Sequence, residues 1–415
     1  MTAAARRGPS LRLLWMLPAG LSLLAGLDAA MLLLGLPAPV TTTRLPEVHG
    51  MLMVLGFVGT LICLERSTAL NRWYGFIAPG LLGAGGIALL ADPVPLIVAK
   101  AILVAGTAGF MLIYIPLWRR QYDHPLLTQL LGAGLGLAGA VIWLNQDTMD
   151  RVLPWLIGFV VLTIAAERVE LARITMGPHA GGRLLIHAWS IVLALVLGLV
   201  YPDAGAIALG VTLLALVGWL VVHDIARRTV RASGAARYMA ACILAGYLWL
   251  AVAGVALLFG DPTAQPAYDA VIHAVFLGYT ISMIMAHATT ILPAVLHIAL
   301  PYRAGLWVPA GILQLSLVVR LWFGDGLGSQ AGWQIGGVLG VIALLLFVLT
   351  AITSAVMGPL KKAPPVRIRP ARTTPGAGAA PAAASRPVPT TAPRTPRPSS
   401  DTAAPAAPEP AEGDA

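Results

Sequence analysis

Charge is what this chain has least of. Asp, Glu, Lys and Arg make up 11% of its 415 residues, against about 25% in a soluble domain. Hydrophobic residues make up 58% and the mean hydropathy is +0.82, which excludes a soluble globular fold. Cysteine is nearly absent. Cys63 and Cys242 each lie inside an apolar run, and neither belongs to a CxxC or CxxCH pattern. That argues against a disulfide framework and covalent haem attachment and leaves both as packing residues. There is no phosphate-binding loop and no nucleophile–base constellation, so nucleotide and hydrolase chemistry have no support. The net charge of +9 does not point to nucleic acid, because the basic residues fall in short loops and in the tail.

What the chain does have is a succession of apolar runs of about 20 residues, each long enough to cross a hydrocarbon core. Twelve spans are predicted, at 11–35, 46–65, 73–91, 94–117, 126–145, 152–171, 184–201, 204–223, 238–259, 268–296, 305–323 and 333–357. They describe an all-α polytopic membrane protein whose first partner is the lipid bilayer. The start, MTAAARRGPSLRLLWMLPAG, has basic residues before an apolar stretch, as a signal peptide does. The apolar run continues to about Gly35 without a small-residue cleavage site, so a retained first helix is expected. Residues 1–10 then form a short segment ahead of a transmembrane domain at 11–357. Residues 358–415 are rich in Pro, Ala, Thr and Arg with no hydrophobic period, and a disordered tail is expected. Its Lys361, Lys362, Arg367, Arg369 and Arg372 either meet anionic headgroups or are simply solvated.

The loops sort by charge. Most arginines, among them Arg66, Arg119, Arg120, Arg168, Arg227 and Arg228, fall on one side. The other side carries Arg44, Arg151 and Arg320 with Asp92, Asp147, Asp150, Asp203, Asp261, Asp269 and Asp325. The positive-inside rule then puts both termini in the cytoplasm of a bacterial inner membrane, in agreement with an even number of spans.

An internal repeat runs through the spans. Gly56-Phe57-Val58 precedes Glu65-Arg66, and Gly158-Phe159-Val160 precedes Glu167-Arg168, with the same nine-residue step from Gly to Glu. Gly278-Tyr279 precedes His287 by the same step. Spans 2, 6 and 10 thus read as equivalent positions in three four-helix units, a pseudo-threefold arrangement. Chance, together with the frequency of Glu-Arg at helix ends, is the competing explanation. In that reading Glu65, Arg66, Glu167 and Arg168 are structural ion pairs. Otherwise they form, with His287, a polar or proton-handling cluster on the inner side.

Sorting the eight histidines by depth leaves two in the outer half, His49 on span 2 and His273 on span 10. His287 follows His273 by fourteen residues, about 21 Å along a helix, too far to share an iron with it. Two intramembrane histidines at matching depth suit the two axial positions of a haem b. The alternative is that each hydrogen-bonds a neighbouring helix. Gly50, Gly56 and Gly278 allow close approach of a flat macrocycle or of another helix. Met51, Met53, Met283 and Met285 add thioethers that could hold copper with the imidazoles or serve as apolar filling.

Twelve spans in three four-helix units, with histidines on spans 2 and 10, resemble subunit one of the haem-copper oxidases. That resemblance implies low-spin haem ligation by His49 and His273. The oxidases also need histidines on spans 6 and 7 and a second one beside the span-10 ligand, and this chain has no HH or HxH, so an oxygen-reducing centre is not expected. HGMLMVLGF at 49–57 and HAVFLGYTISM at 273–283 are similar to the span-2 and span-10 patterns of the NnrS family, which implies a haem- and copper-containing membrane protein in nitric-oxide stress response or electron transfer, with a redox partner. Many members carry a doubled span-2 histidine. Here Val48 and Gly50 flank His49, which bears on the copper. A secondary transporter and a non-catalytic partner of a respiratory complex are the alternatives.

Overall fold

The computed structural model describes residues 12–146, 149–261 and 264–358. The expectations for residues 1–10, for Asp147 and for the tail beyond Gly358 lie outside them. Among the described residues there is no strand. The long helices are α1 (Arg12–Leu33), α2 (Arg44–Leu70), α3 (Trp73–Leu90), α4 (Leu96–Gln121), α5 (His124–Asn145), α6 (Leu153–Leu171), α7 (Ala180–Val200), α8 (Pro202–His223), α9 (Gly234–Phe259), α10 (Gln265–Leu296), α11 (Ala304–Gly326) and α12 (Gln330–Met357). Eleven are long and apolar enough to cross a membrane. The exception is α6, which is 19 residues long and carries Glu167, Arg168 and Glu170 near its end. The chain is a multi-pass membrane protein.

Helix ends follow local chemistry rather than the edge of each apolar run. The second span was predicted to stop at residue 65, but α2 continues to Leu70. The Ser67 and Thr68 hydroxyls donate back to the Cys63 and Leu64 carbonyls at 2.7 and 2.9 Å, so these polar residues stay helical. Termination comes at Asn71, whose φ of +53° is left-handed. Tyr122 and His297, with φ of +49° and +56°, end α4 and α10 in the same way.

Sequential helices pack as neighbours, with α3 on α4, α5 on α6, α8 on α9 and α11 on α12. The exceptions to this hairpin order are informative. α6 packs on the middle of α10, and the inner half of α2 packs on α10. Phe159 of α6 reaches the Gly59 position of α2. α2 and α10 are also the most buried candidate spans, each 67% buried over its most apolar stretch. Fourteen residues of α6 are buried. The three helices that carry the sequence repeat therefore meet at the centre.

Three π-helical segments interrupt the α-helices, at Leu52–Gly59 in α2, His273–Ile281 in α10 and Val318–Gly326 in α11. Such wide turns free carbonyls from the regular ladder and often mark functional positions. In α2 and α10 a threonine takes up one of them. Thr60 donates to the Leu55 carbonyl at 3.4 Å and Thr280 to the Val275 carbonyl at 3.0 Å.

Close backbone approach fixes the outer half of α11 against α12. A Cβ on Gly336 would sit 2.5 Å from the Arg320 nitrogen and 2.7 Å from its Cα, and neither backbone atom can rotate away. Gly336→Ala is expected to destabilise the protein by about 1–3 kcal/mol, read as a lower melting temperature in detergent, whereas Gly311→Ala, which meets open space, leaves it unchanged.

Candidate functional site

The polar residues of this apolar bundle gather at two levels. At one level, named outer after the topology expected from the charges, His49 lies near the start of α2, just before its π-helical segment, and His273 opens the π-helical segment of α10. The His49 Nδ1 is 2.9 Å from the Gly26 carbonyl of α1. A carbonyl only accepts, so Nδ1 carries the proton and Nε2 is left with its lone pair. His273 is arranged alike. Its Nδ1 is 3.0 Å from the Asp269 carbonyl and 3.4 Å from the Asp269 carboxylate. No hydrogen bond reaches either Nε2 among the described residues. The two rings lie within electrostatic reach of each other and of Arg320. His49 is surrounded by protein, yet it retains accessible surface, as does His273.

Behind His273 stands a buried support. Asp269 receives two bonds from Arg320, at 2.8 and 2.7 Å, and the guanidinium lies 4.6 Å from the Trp333 ring centroid. The sequence puts Asp269 and Arg320 among the charges of the side opposite most arginines. The structure buries both. The four-residue step from Asp269 to His273 puts them on one helix face, a signal the sequence did contain. The link to Arg320, 51 residues away, has no local signal.

The neighbouring glycines serve helix contacts. Gly56 packs against Ser22 and Gly86, and Gly278 against Trp249. The Met53 sulfur lies against Gly26, and Met51 is fully buried. Met283 lies with His287 on a different cavity. Among the described residues no three His, Cys, Asp or Glu gather as a metal-binding group. Cys63 and Cys242 are free and buried.

At the inner level, Glu65, Glu167, Arg168 and His287 line one cavity with Val58, Ile164 and Leu292. The structure thus brings the three repeat positions together. The Glu-Arg pairs differ, however. Arg66 bonds Glu65 at 2.5 Å, Glu170 at 3.1 Å and the Gln129 side chain at 3.3 Å. Arg168 bonds not its neighbour Glu167 but Asp224, at 2.6 and 2.7 Å. Adjacent helical residues point about 100° apart, so Glu167 and Arg168 leave α6 on different faces. Tyr247 and the Ala226 N–H also donate to Asp224, at 2.7 and 2.8 Å. Burial opposes charge on Asp224, which lies just past α8, but these donors outweigh it, with Arg168 foremost, and hold the carboxyl below its ordinary range.

A family model for a domain of unknown function, DUF8744, matches residues 12–356. The chain belongs to that family. Neither the curated proteins nor the solved structures gave a match. The matched segment spans both levels of the site and all the long helices, apart from the last residue of α12.

Removing one partner of the Arg168–Asp224 pair strands a buried charge. Arg168→Leu is expected to cost about 3–5 kcal/mol. A carboxyl held low when folded adds stability above its ordinary value of 3.8 and loses it as pH falls through the folded value. Below about pH 4 the melting temperature of the wild type should fall more steeply than that of Asp224→Asn.

Proposed function

We propose that this protein holds a haem b between His49 and His273 and carries electrons within the membrane. The observation that carries the reading is the matched pair of imidazoles. Each sits at a π-helical segment, each has its Nδ1–H fixed by an acceptor, and each is left with an Nε2 lone pair for iron. The residues present fit the group in their donor chemistry. Neutral imidazole Nε2 is the usual histidine donor to haem iron. Both rings keep accessible surface and lie within electrostatic reach of each other, which supports a shared space between them.

Bound there, a haem b supplies a one-electron carrier. The chain's own residues then do the rest. His49 and His273 would both hold the iron, which would favour electron transfer over binding of a gas such as nitric oxide. Asp269, anchored by Arg320, fixes the His273 ring and strengthens its donor nitrogen. Gly26, on a different helix, fixes the ring of His49. The surrounding Leu, Val and Met side chains keep water away. No three described His, Cys, Asp or Glu are placed so that they could hold a metal ion, and the proposal is haem without copper.

The same reading takes α6 as a twelfth span. The three four-helix units are arranged about a pseudo-threefold axis, as in subunit one of the haem-copper oxidases, with α2, α6 and α10 innermost. Both termini face the cytoplasm of a bacterial inner membrane, and a redox partner exchanges electrons with the haem. The likeness of 49–57 and 273–283 to NnrS patterns agrees with it.

The test is the reduced-minus-oxidised absorption spectrum of the full chain, purified in mild detergent after expression with ample haem. A sharp haem b band is expected, and it should disappear in His49→Ala and in His273→Ala while His287→Ala keeps it. A colourless, folded wild type would end the reading.

A further inference from the structure

The inner cavity has no role in the haem reading. It lies between α1, α2, α6 and α10, and its volume is about 90 Å³, room for about three waters. Its walls are apolar except for Glu65, Glu167, Arg168 and His287. Arg168 is engaged by Asp224 and Glu65 by Arg66. Two buried polar atoms remain without a protein partner, Glu167 Oε1 and His287 Nε2. His287 donates its Nδ1–H to the Met283 carbonyl at 2.9 Å, so its Nε2 is an acceptor, and the residue is only 6% exposed.

Both atoms lack donors, and an unmatched buried acceptor costs about 1–3 kcal/mol. The group facing Glu167 within hydrogen-bonding reach is the Glu65 carboxyl. Two carboxylates cannot bond each other, so that contact requires a proton between them. The nearby charges do not remove the need. Arg66 is shared by Glu65 and Glu170, which leaves three carboxyl groups around one guanidinium. Arg168 and Asp224 neutralise each other. The other groups facing the pair are the Tyr114 hydroxyl of α4 and the Tyr279 hydroxyl of α10, with the Cys63 thiol beside Tyr114. Both hydroxyls are buried and without a partner. A metal ion is disfavoured, because no three of the described acids, histidines and cysteines are placed so that they could hold one.

We propose that Glu65, Glu167 and His287 form a binding site for one exchangeable proton, shared by the two carboxyl groups and passed through cavity water to His287 Nε2. Uptake brings one positive charge to a cluster of three carboxylates and one guanidinium, and leaves it one carboxylate in excess. Release passes the proton to the imidazole, which can accept it, and from there to water. Nothing in this depends on haem, so the site and the haem reading fail separately.

Difference infrared spectroscopy of the full chain in lipid nanodiscs tests it. At neutral pH the wild type should show the carbonyl band of a protonated carboxylic acid, shifted in D2O. The band should be lost in Glu167→Gln and retained in Glu170→Gln, whose carboxylate serves Arg66. In His287→Phe the band should stay and its D2O shift should slow severalfold. Absence of the band in the folded wild type would overturn the proposal whether or not the Gln variant folds. A band unchanged in Glu167→Gln, or a D2O shift as fast in His287→Phe as in the wild type, would also contradict it.

Discussion

Inside a membrane protein a polar side chain without a partner is a direct loss, because neither lipid nor apolar packing can replace its hydrogen bonds. This constraint arranges the bundle. Arg168, Asp224 and Tyr247 close on one another from three different segments. Arg320 and Asp269 do the same at the other level. Arg44 puts its guanidinium on the Ala91 and Val94 carbonyls just past the end of α3, at 3.0 and 2.8 Å. Each contact ties together segments far apart in the chain, so the polar residues specify which helices meet while apolar packing supplies most of the contact.

Against that background the atoms left unmatched stand out. Several, such as Ser22 Oγ, Trp118 Nε1 and Trp219 Nε1, are dispersed through the bundle, but four fall at its two polar levels. The lone pairs of His49 and His273 are presented at the outer level, and Glu167 Oε1 and His287 Nε2 at the inner one. α10 contributes to both levels through His273 and His287, and α2 through His49 and Glu65. α2 and α10, predicted to hold the two outer histidines, both contain π-helical turns, as α11 does, and are the most buried candidate spans. Burial and the candidate site residues thus fall on the same elements, as expected where a site must be shielded from lipid and water.

Much of this was legible in the sequence, and the reasons are specific. Span positions follow from apolar run length, which is a one-dimensional quantity. The nine-residue step linking Gly56 to Glu65, Gly158 to Glu167 and Gly278 to His287 identified helices that come together in space. The same reading treated Glu167-Arg168 as a pair, and there it went astray, because direction around a helix is set by position rather than adjacency. Asp224 and Arg320 were invisible as partners, since 56 and 51 residues separate them from Arg168 and Asp269. The end of α2 was missed because hydroxyl-to-carbonyl bonds carry the helix past its apolar run.

The central claim is that two imidazoles from α2 and α10 face the same space through Nε2. Electron paramagnetic resonance of the oxidised, haem-replete protein tests it most directly, because the ferric signal reports both axial ligands. The account predicts a low-spin spectrum of the bis-imidazole type that is lost when either His49 or His273 alone is replaced by Ala. No ferric haem signal in the folded protein, or a low-spin signal that survives both single replacements, would contradict it.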